Sequence, residues 1–267
     1  MIPMDYHLHS SHSEDCRAGM LEMCEAAVAA GLTDICFTEH LDFDRTDPAY
    51  GFFQYEPYRA SIAEARARFD GRLTIRMGLE FDFRREFGRE VGDVLAAMPF
   101  DFTIGSVHSA MGCPLYRLDQ DPFDRIDARA LQQAYFAEVL ALVDSGWCHC
   151  LGHFDYLYKQ VPAVFGKWRD AWYWDRVAEV LARCVANGVA LEVNTHHLLD
   201  RGMALAADAE ILRRYRALGG RLLTVGSDAH CPADVSHGYS EAEKTLIGQN
   251  VHTLWGFDGG RPYPITI

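Results

Sequence analysis

The sequence predicts an α/β protein whose parallel strands close into a barrel. Short β-type runs alternate with amphipathic helices about seven times along the 267 residues, the pattern of parallel strands joined by right-handed crossovers. A histidine, glutamate or aspartate follows nearly every one of these runs. Such side chains can meet at one point only if the sheet closes, because an open sheet spreads its outer strands apart.

The elements follow one another in a regular order. The predicted strands occupy residues 3–7, 34–38, 73–79, 102–107, 148–151, 189–193 and 222–225. The predicted helices occupy residues 20–30, 57–69, 87–98, 128–145, 172–187 and 208–218. Several of these helices end on Gly or Asn-Gly just before the next strand, which is a usual helix stop. The tail after Gly248 is expected to pack against the barrel exterior.

The composition indicates one folded domain, residues 1–267, with a cytoplasmic location. Twenty-five basic and 38 acidic residues give a net charge of −13, and such a surface repels a phosphate backbone, so no nucleic-acid partner is expected. No apolar run approaches the roughly 18–20 residues of a membrane span, and residues 1–5 lack a basic signal-peptide start. The eight cysteines have no zinc-finger spacing and are expected to be reduced and mostly buried.

The residues that follow the strands are of the types that bind metal ions. They are His7, His9, His40, Glu80, His108, His153, Asp228 and His230, while Glu192 and Asn194 end the remaining strand. Each has a structural alternative: a lone histidine is usually a satisfied structural residue, Glu80 could pair with Arg76 or Arg84, and Asp228 could cap a helix. If all these alternatives held at once, carboxylates and imidazoles without partners would lie close together, at a high cost in free energy. The set therefore predicts a metal site.

The number of candidate ligands exceeds the need of one ion. In His7-x-His9 both imidazoles extend from one strand toward the same side and can bind one ion together. Imidazole and carboxylate ligands favour Zn, Fe and Mn. Two or three divalent transition metals sharing a bridging carboxylate account for six histidines, one aspartate and one glutamate. Paired ions of this kind activate water and stabilise a phosphoryl group during transfer, which predicts hydrolysis of a phosphate ester.

Seven motifs occur in a fixed order along the chain. They are Asp-Tyr-His-Leu-His-Ser from residue 5, Ile-Cys-Phe-Thr-Glu-His from 35, Gly-Leu-Glu from 78, Gly-Ser-Val-His-Ser from 105, Leu-Gly-His-Phe-Asp from 151, Glu-Val-Asn-Thr from 192 and Gly-Ser-Asp-Ala-His from 226. As an ordered set they resemble the polymerase and histidinol phosphatase superfamily, most closely its histidinol-phosphatase branch. The resemblance extends from about Asp5 to Gly248 and implies a distorted (β/α)7 barrel with a trinuclear metal site.

The resemblance also implies three sets of ligands. The first ion would be held by His7, His9, Glu80 and Asp228. The second would be held by Glu80, His108 and His153, so that Glu80 bridges two ions. The third would be held by His40, His230 and a loop residue six positions after His9, which is Asp15 here, with His12 as the competing candidate.

The expected phosphate-binding positions depart from the pattern of similar histidinol phosphatases. The basic residue four positions after the Gly-His-x-Asp aspartate is Lys159, which keeps the charge but not the bidentate fork of arginine. The arginine expected after the Asn-Thr motif is replaced by Leu199. Arg201 or His197 would take its place, with a solvated loop charge as the alternative for Arg201.

The predicted function is that of a metal-dependent phosphomonoesterase on a small-molecule phosphate ester. The resemblance ranks L-histidinol phosphate, of histidine biosynthesis, first among substrates. Candidates for the proton donor to the leaving group are Asp228, His230, His197 and Asp155. One alternative is a hydrolase of nucleoside monophosphates or cyclic phosphodiesters, and another is a non-catalytic metal-binding module.

One further pattern concerns partners. An aromatic run falls partly at helical spacing and predicts core packing or a homodimer face, with lining of the substrate mouth as a further alternative. The run consists of Trp168, Trp172, Tyr173 and Trp174.

Overall fold

Seven parallel strands join in sequence order and curve round until the first meets the last. The computed structural model describes residues 1–117, 127–160, 169–198 and 208–267, without the side chains of Lys159 and Gln160. The strands are β1 Met4–Leu8, β2 Asp34–Leu41, β3 Thr74–Asp82, β4 Phe102–Ser106, β5 Ser109–Ala110, β6 Cys113–Pro114, β7 Cys150–Leu151, β8 Ala190–Asn194, β9 Leu223–Gly226, β10 Thr253–Asp258 and β11 Arg261–Thr266. The main sheet has the order β1-β2-β3-β4-β7-β8-β9, with every neighbouring pair parallel.

The barrel closes just beyond the ends of β1 and β9. Leu8 forms a parallel bridge with Ala229. The backbone N–H of Asp228 donates to the carbonyl of His7 at 2.8 Å, and that of His9 donates to the carbonyl of Ala229 at 3.1 Å. The predicted α/β barrel is confirmed, and its closure falls among the residues expected to bind metal.

Helices follow the strands on the outside of the barrel. They are α1 Met20–Ala29, α2 Tyr55–Arg68, α3 Gly88–Ala97, α4 Ala128–Ser145, α5 Tyr156–Gln160, α6 Ala171–Asn187, α7 Ala209–Ala217 and α8 Tyr239–Gly248. Asp127, Asp170 and Asp208 accept hydrogen bonds from the first backbone N–H groups of α4, α6 and α7, which is the usual N-cap. The six predicted helices are confirmed within two residues at each end, whereas α5 and α8 were not predicted.

The C-terminal tail closes the end of the barrel at which the strands begin. The prediction that the tail packs on the exterior is wrong. Strands β10 and β11 pair as an antiparallel hairpin, and the ring of Phe257 lies 4.8 Å from that of Phe102. The hydroxyl of Tyr263 lies 2.7 Å from that of Tyr6 and donates to Asp34. Because Asp34 begins β2, the hairpin covers the end opposite the candidate ligands.

We expect Tyr263→Phe to lower the free energy of unfolding by about 1–2 kcal/mol, because the buried Asp34 carboxylate loses a donor. Urea unfolding measures this loss, and Tyr50→Phe, at a residue 46% exposed, is the control with little expected change. An unchanged unfolding free energy in Tyr263→Phe would contradict the role given to this hydroxyl.

The aromatic run packs within the chain. Tyr173 is buried, Arg129 covers the ring of Trp172 at 4.5 Å, and Arg214 covers that of Trp174 at 4.3 Å. The packing prediction is confirmed for these three residues, Trp168 lies outside the described residues, and the homodimer stays a prediction.

The cysteines and the helices of the described residues give two further observations. All eight cysteines are free, and only Cys113 and Cys231 are not buried. None of the helices in the described part of the chain is long and apolar enough to cross a membrane.

Candidate metal centre

Glu80 lies at the centre of a histidine cluster at the carboxyl end of the barrel. Its carboxylate is delivered by β3 and is 1% exposed. The nearest nitrogens to Oε2 are His7 Nε2 at 3.0 Å and His40 Nδ1 at 3.1 Å. The nearest to Oε1 are His153 Nε2 at 3.1 Å and His108 Nε2 at 3.6 Å. Four strands therefore bring an imidazole to one carboxylate.

The alternative that Glu80 pairs with an arginine is wrong for both candidates. Arg76 turns toward the C-terminal hairpin and pairs with Asp258 at 2.8 Å. Arg84 pairs with Asp44 at 2.5 Å. The charge facing Glu80 comes from the imidazoles.

His9 and Asp228 complete the first predicted ligand set. His9 Nε2 lies 3.2 Å from Asp228 Oδ1 and 3.5 Å from Glu80 Oε2. Asn194 Nδ2 donates to the other carboxylate oxygen of Asp228 at 3.2 Å, which leaves Oδ1 directed at the histidines. Asp228 has a φ of 55°, a strained conformation for a residue other than glycine that is often found at functional sites.

Asp15, and not His12, lies beside the third pair of histidines. Asp15 Oδ2 is 3.1 Å from His230 Nε2 and 3.4 Å from His40 Nε2. His12 Nε2 is instead 2.9 Å from Ser61 Oγ, on α2. The geometry favours Asp15 for the position that the sequence left open.

Two carboxylates outside the predicted set orient the histidines. Glu192 contacts His7 Nδ1 at 2.5 Å through Oε1 and accepts the backbone N–H of His153 at 2.7 Å through Oε2. Asp82 accepts the backbone N–H of His108 at 2.8 Å and lies 3.4 Å from its Nδ1. Carboxylates that hold the second nitrogen of a metal-binding histidine fix its tautomer and orientation.

His196 is a further histidine that the sequence reasoning missed. Its Nδ1 lies 3.2 Å from the backbone oxygen of Asp228. Together with Asp228 and His230 it forms a group whose ligand atoms all lie within 4.8 Å of one another. The only sequence signal was its place directly after the Asn-Thr motif.

The pKa shifts concentrate positive charge around Glu80. Burial opposes a charged imidazole at His7, but the carboxylates of Asp228, Glu192 and Glu80 outweigh it and raise the pKa of His7 well above its ordinary value. Burial likewise opposes the charge of Glu80, yet His7 and His40 hold its pKa well below the ordinary value. Glu80 is therefore held in its ionised form, which is the form that binds a metal ion.

His9 is shifted in the opposite direction. Burial, together with the positive charges of His230 and His40, lowers the pKa of His9 to about 3. Its ring stacks on His40 and on His230, with 4.3 Å between centroids in each case. A neutral imidazole is the form that binds a metal ion.

The donor atoms fit metal ions in type and in spacing. Two ligands about 2.1 Å from one ion lie roughly 3.4 Å apart at the tetrahedral angle, close to the separations around Glu80. The Nε2 atoms of His108 and His153 face each other at 3.3 Å, an approach that a shared cation stabilises. Groups of histidine and carboxylate donors recur on both sides of Glu80, and this chemistry suits Zn, Fe or Mn.

A cavity opens directly from the cluster. Its volume is about 360 Å³, within the range of small-molecule sites. Its walls are formed by Glu14, Asp15, His40, Asp42, Asp47, Pro48, Ala49, His108, Tyr116 and Tyr156. Burial, aided by the negative charges of Asp82 and Asp47, raises the pKa of Asp42 to about 7.

The other predicted site residues lie at different distances from the cluster. The ring of His197 is 6.0 Å from that of Tyr156, at the edge of the site. Asp155 is buried and acts electrostatically on Tyr135 and Tyr173 of the outer helices, and it is outside the grouped donors of the described residues. The side chain of Lys159 and the whole of Arg201 lie outside the described residues.

The fold and the cluster together define a class: an α/β-barrel protein with a metal-binding centre at the carboxyl ends of its strands. The family model described as the PHP domain matches residues 5–196. The chain belongs to the PHP family, as the seven motifs indicated.

Similar proteins match nearly the whole chain. The histidinol-phosphatase of Lactococcus lactis is 31% identical over 261 residues, covering 97% of this chain and 96% of that protein. The probable histidinol-phosphatase of Deinococcus radiodurans is 32% identical over 250 residues, covering 91% and 92%. The crystal structure of the Lactococcus lactis histidinol phosphate phosphatase, complexed with zinc, L-histidinol and phosphate, has a TM-score of 0.84 at 26% identity and covers 98% of each chain.

Proposed function

We propose that this protein is a histidinol phosphatase, which hydrolyses L-histidinol phosphate to L-histidinol and phosphate. The observation that carries the proposal is the match to the histidinol-phosphatase of Lactococcus lactis over 97% of the chain. The cavity beside the cluster supports it, because its volume suits a small phosphate ester.

We further propose that the centre holds two to three divalent transition metals, Zn, Fe or Mn. One would be held by His7, His9, Glu80 and Asp228, a second by Glu80, His108 and His153, and a third by Asp15, His40 and His230. Bound there, such ions lower the pKa of a coordinated water and stabilise negative charge on phosphoryl oxygens. The relative from Lactococcus lactis was crystallised with zinc.

The protein's own residues prepare the ligands. Glu192 accepts a hydrogen bond from His7 Nδ1, which directs Nε2 of that ring at Glu80. Asp82 has the same relation to His108. Ser106 Oγ donates to Glu80 Oε1 at 2.6 Å and fixes the rotation of the carboxylate. These contacts orient the donors before any ion or substrate arrives.

Lys159 and Arg201 are the proposed phosphate contacts outside the metals. Lys159 belongs to α5, whose first residue, Tyr156, packs 5.1 Å from the ring of His108 and 4.9 Å from that of His153. The helix therefore begins at the metal centre. Among the proton-donor candidates, Asp228 and His230 lie within the cluster and are the proposed donors to the leaving oxygen.

We propose that residues 1–267 work as one domain. The C-terminal hairpin closes the end of the barrel opposite the metal centre through contacts with Tyr6 and Asp34. The proposed ligands are spread along the sequence from His7 to His230.

The substrate proposal is tested with histidinol phosphate, AMP and a generic phosphodiester at equal metal loading. We expect kcat/KM for histidinol phosphate to exceed that for AMP at least tenfold, which is about 1.4 kcal/mol of transition-state binding, and the diester to be slowest. A ratio below ten would favour the nucleotide-directed alternative. A metal-loaded protein that hydrolyses none of the three would instead be a metal-binding module.

A further inference from the structure

The Glu39 carboxylate is fully buried beside the metal centre, and no lysine or arginine pairs with it in the described part of the chain. Its hydrogen bonds come from the loop that follows β1. Ser10 donates its hydroxyl to Oε1 at 2.6 Å and its backbone N–H to Oε2 at 3.0 Å. Ser13 donates its hydroxyl to Oε2 at 2.6 Å. A buried carboxylate is costly unless hydrogen bonds satisfy it, and here two serines supply them.

Ser13 joins this carboxylate to two of the proposed metal ligands. Its Oγ lies 3.1 Å from His9 Nδ1 and accepts the backbone N–H of His40 at 3.0 Å. Ser13 is itself fully buried. One hydroxyl therefore has three hydrogen-bond partners, which fills its capacity of one donated and two accepted bonds.

The chemistry of these partners fixes the direction of the hydroxyl proton. The backbone N–H of His40 can only donate, and Glu39 Oε2 is an acceptor that also takes the backbone N–H of Ser10. The proton of Ser13 is therefore directed at Glu39. The remaining bond, to His9, is then one that Ser13 Oγ accepts, so Nδ1 is the nitrogen of His9 that carries a proton.

The other nitrogen of the His9 ring faces the metal centre. Within the described residues Nε2 forms no hydrogen bond, and it lies 3.2 Å from Asp228 Oδ1 and 3.5 Å from Glu80 Oε2. A ring nitrogen that carries a proton cannot bind a metal ion, so only the tautomer protonated on Nδ1 leaves Nε2 available. An ion held between the ring and these carboxylates would give this buried atom the partner that buried polar atoms normally have.

We propose that Ser13 is a positioning residue that fixes the tautomer of His9, with its own proton held by Glu39, and so keeps Nε2 available to the first ion. The inference rests on the proposed function, of which the metal centre is a part, and deepens it. Because Ser13 also accepts the backbone N–H of His40, the same hydroxyl connects the first proposed ligand set with the third.

The test observes the tautomer directly in the full chain, freed of metal by a chelator and labelled with ¹⁵N in its histidines. Long-range ¹H–¹⁵N correlation spectra distinguish a proton on Nδ1 from one on Nε2, and the His9 signals are those missing from His9→Gln. The variants are Ser13→Ala and Ser10→Ala. Ser10 is the matched control, because it is equally buried and donates to the same carboxylate, whereas the ring of His9 bonds to Ser13.

We expect His9 to be protonated on Nδ1 in the unmodified protein and in Ser10→Ala. In Ser13→Ala we expect the proton mainly on Nε2, where it can donate to Asp228. Calorimetric titration with Zn²⁺ should then show one site of Ser13→Ala weakened about 10–100-fold, as for other residues that orient a metal ligand. The same titration should change little in Ser10→Ala.

Glu39→Gln is the conservative variant. Its amide can present the oxygen to the Ser13 hydroxyl and the NH₂ group to Ser10 Oγ, so the proton of Ser13 keeps its direction. We expect the Nδ1 tautomer of His9 and the zinc affinity to be retained. A proton on Nε2 of His9 in this variant would contradict the role given to Glu39.

The unmodified protein alone can overturn the inference, if its His9 is protonated on Nε2. An unchanged tautomer in Ser13→Ala, or an equal loss of zinc affinity in Ser13→Ala and Ser10→Ala, would also overturn it, because the loop and not the hydroxyl would then be the cause. None of these measurements uses a phosphate ester. A tautomer that depends on Ser13 in a protein inactive on histidinol phosphate would therefore support the positioning role and contradict the proposed substrate.

Discussion

Glu80→Gln is expected to lose most of its bound metal and to lower kcat/KM by about a thousandfold, or roughly 4 kcal/mol of transition-state stabilisation. Glu80 faces imidazoles through both carboxylate oxygens, so the change weakens two proposed ions at once. An amide keeps the size of the side chain but removes the charge that these imidazoles surround. Elemental analysis of protein loaded with excess metal, followed by steady-state kinetics, measures both effects.

Variants of two other carboxylates serve as comparisons for Glu80→Gln. Asp34→Asn changes a buried carboxylate at the opposite end of the barrel and should keep full metal content. The effect of Glu192→Gln should lie between those of Asp34→Asn and Glu80→Gln. We expect kcat/KM to fall about 10–100-fold, because Glu192 orients His7 without contacting a proposed ion. Retention of two or more ions and most of the activity in Glu80→Gln would remove the bridging role of this residue.

Asp15→Asn is expected to lose one ion per chain and most of the turnover. The Oδ2 atom of Asp15 is within 3.4 Å of both His40 and His230, and no other carboxylate of the described residues approaches both rings so closely. Asn keeps one oxygen but loses the charge that balances a divalent ion. Metal content per chain before and after dialysis gives the readout.

His12→Ala is the matched control for this variant. His12 lies three positions earlier in the same loop, and its ring is directed at Ser61. It should retain every ion and near-normal turnover. The reverse pattern, with metal lost in His12→Ala and kept in Asp15→Asn, would transfer the third ligand position to His12.

The barrel was predictable because its strands end in chemically distinctive residues. His7, His40 and Glu80 each close a short β-type run, and their convergence demanded a closed sheet. The C-terminal hairpin was missed for a physical reason: Pro262 and Pro264 lie at alternate positions of β11, and proline within a run argues against a strand. A two-stranded hairpin tolerates them, because one edge of β11 has no partner strand in the described structure.

The candidate ligands were predictable from their residue types at the strand ends and from the order of their motifs. The residues that orient them were not predictable. Glu192 was visible only as the end of a strand, and its contact with His7 spans 185 positions of chain. Asp82 carries no motif of its own. Their roles depend on distances across the barrel mouth that one sequence does not contain.

The junction of Leu8 with Ala229 also governs when the centre can exist in a growing chain. About 220 residues separate the two partners. On the ribosome, roughly 10–45 s of synthesis therefore pass between the appearance of β1 and that of β9, the second strand beside it. Until His230 has emerged, a nascent chain carries His7, His9 and Glu80 without the residues that complete their groups. We expect metal to be acquired by the finished chain, after release, so that the supply of ions limits maturation and not translation.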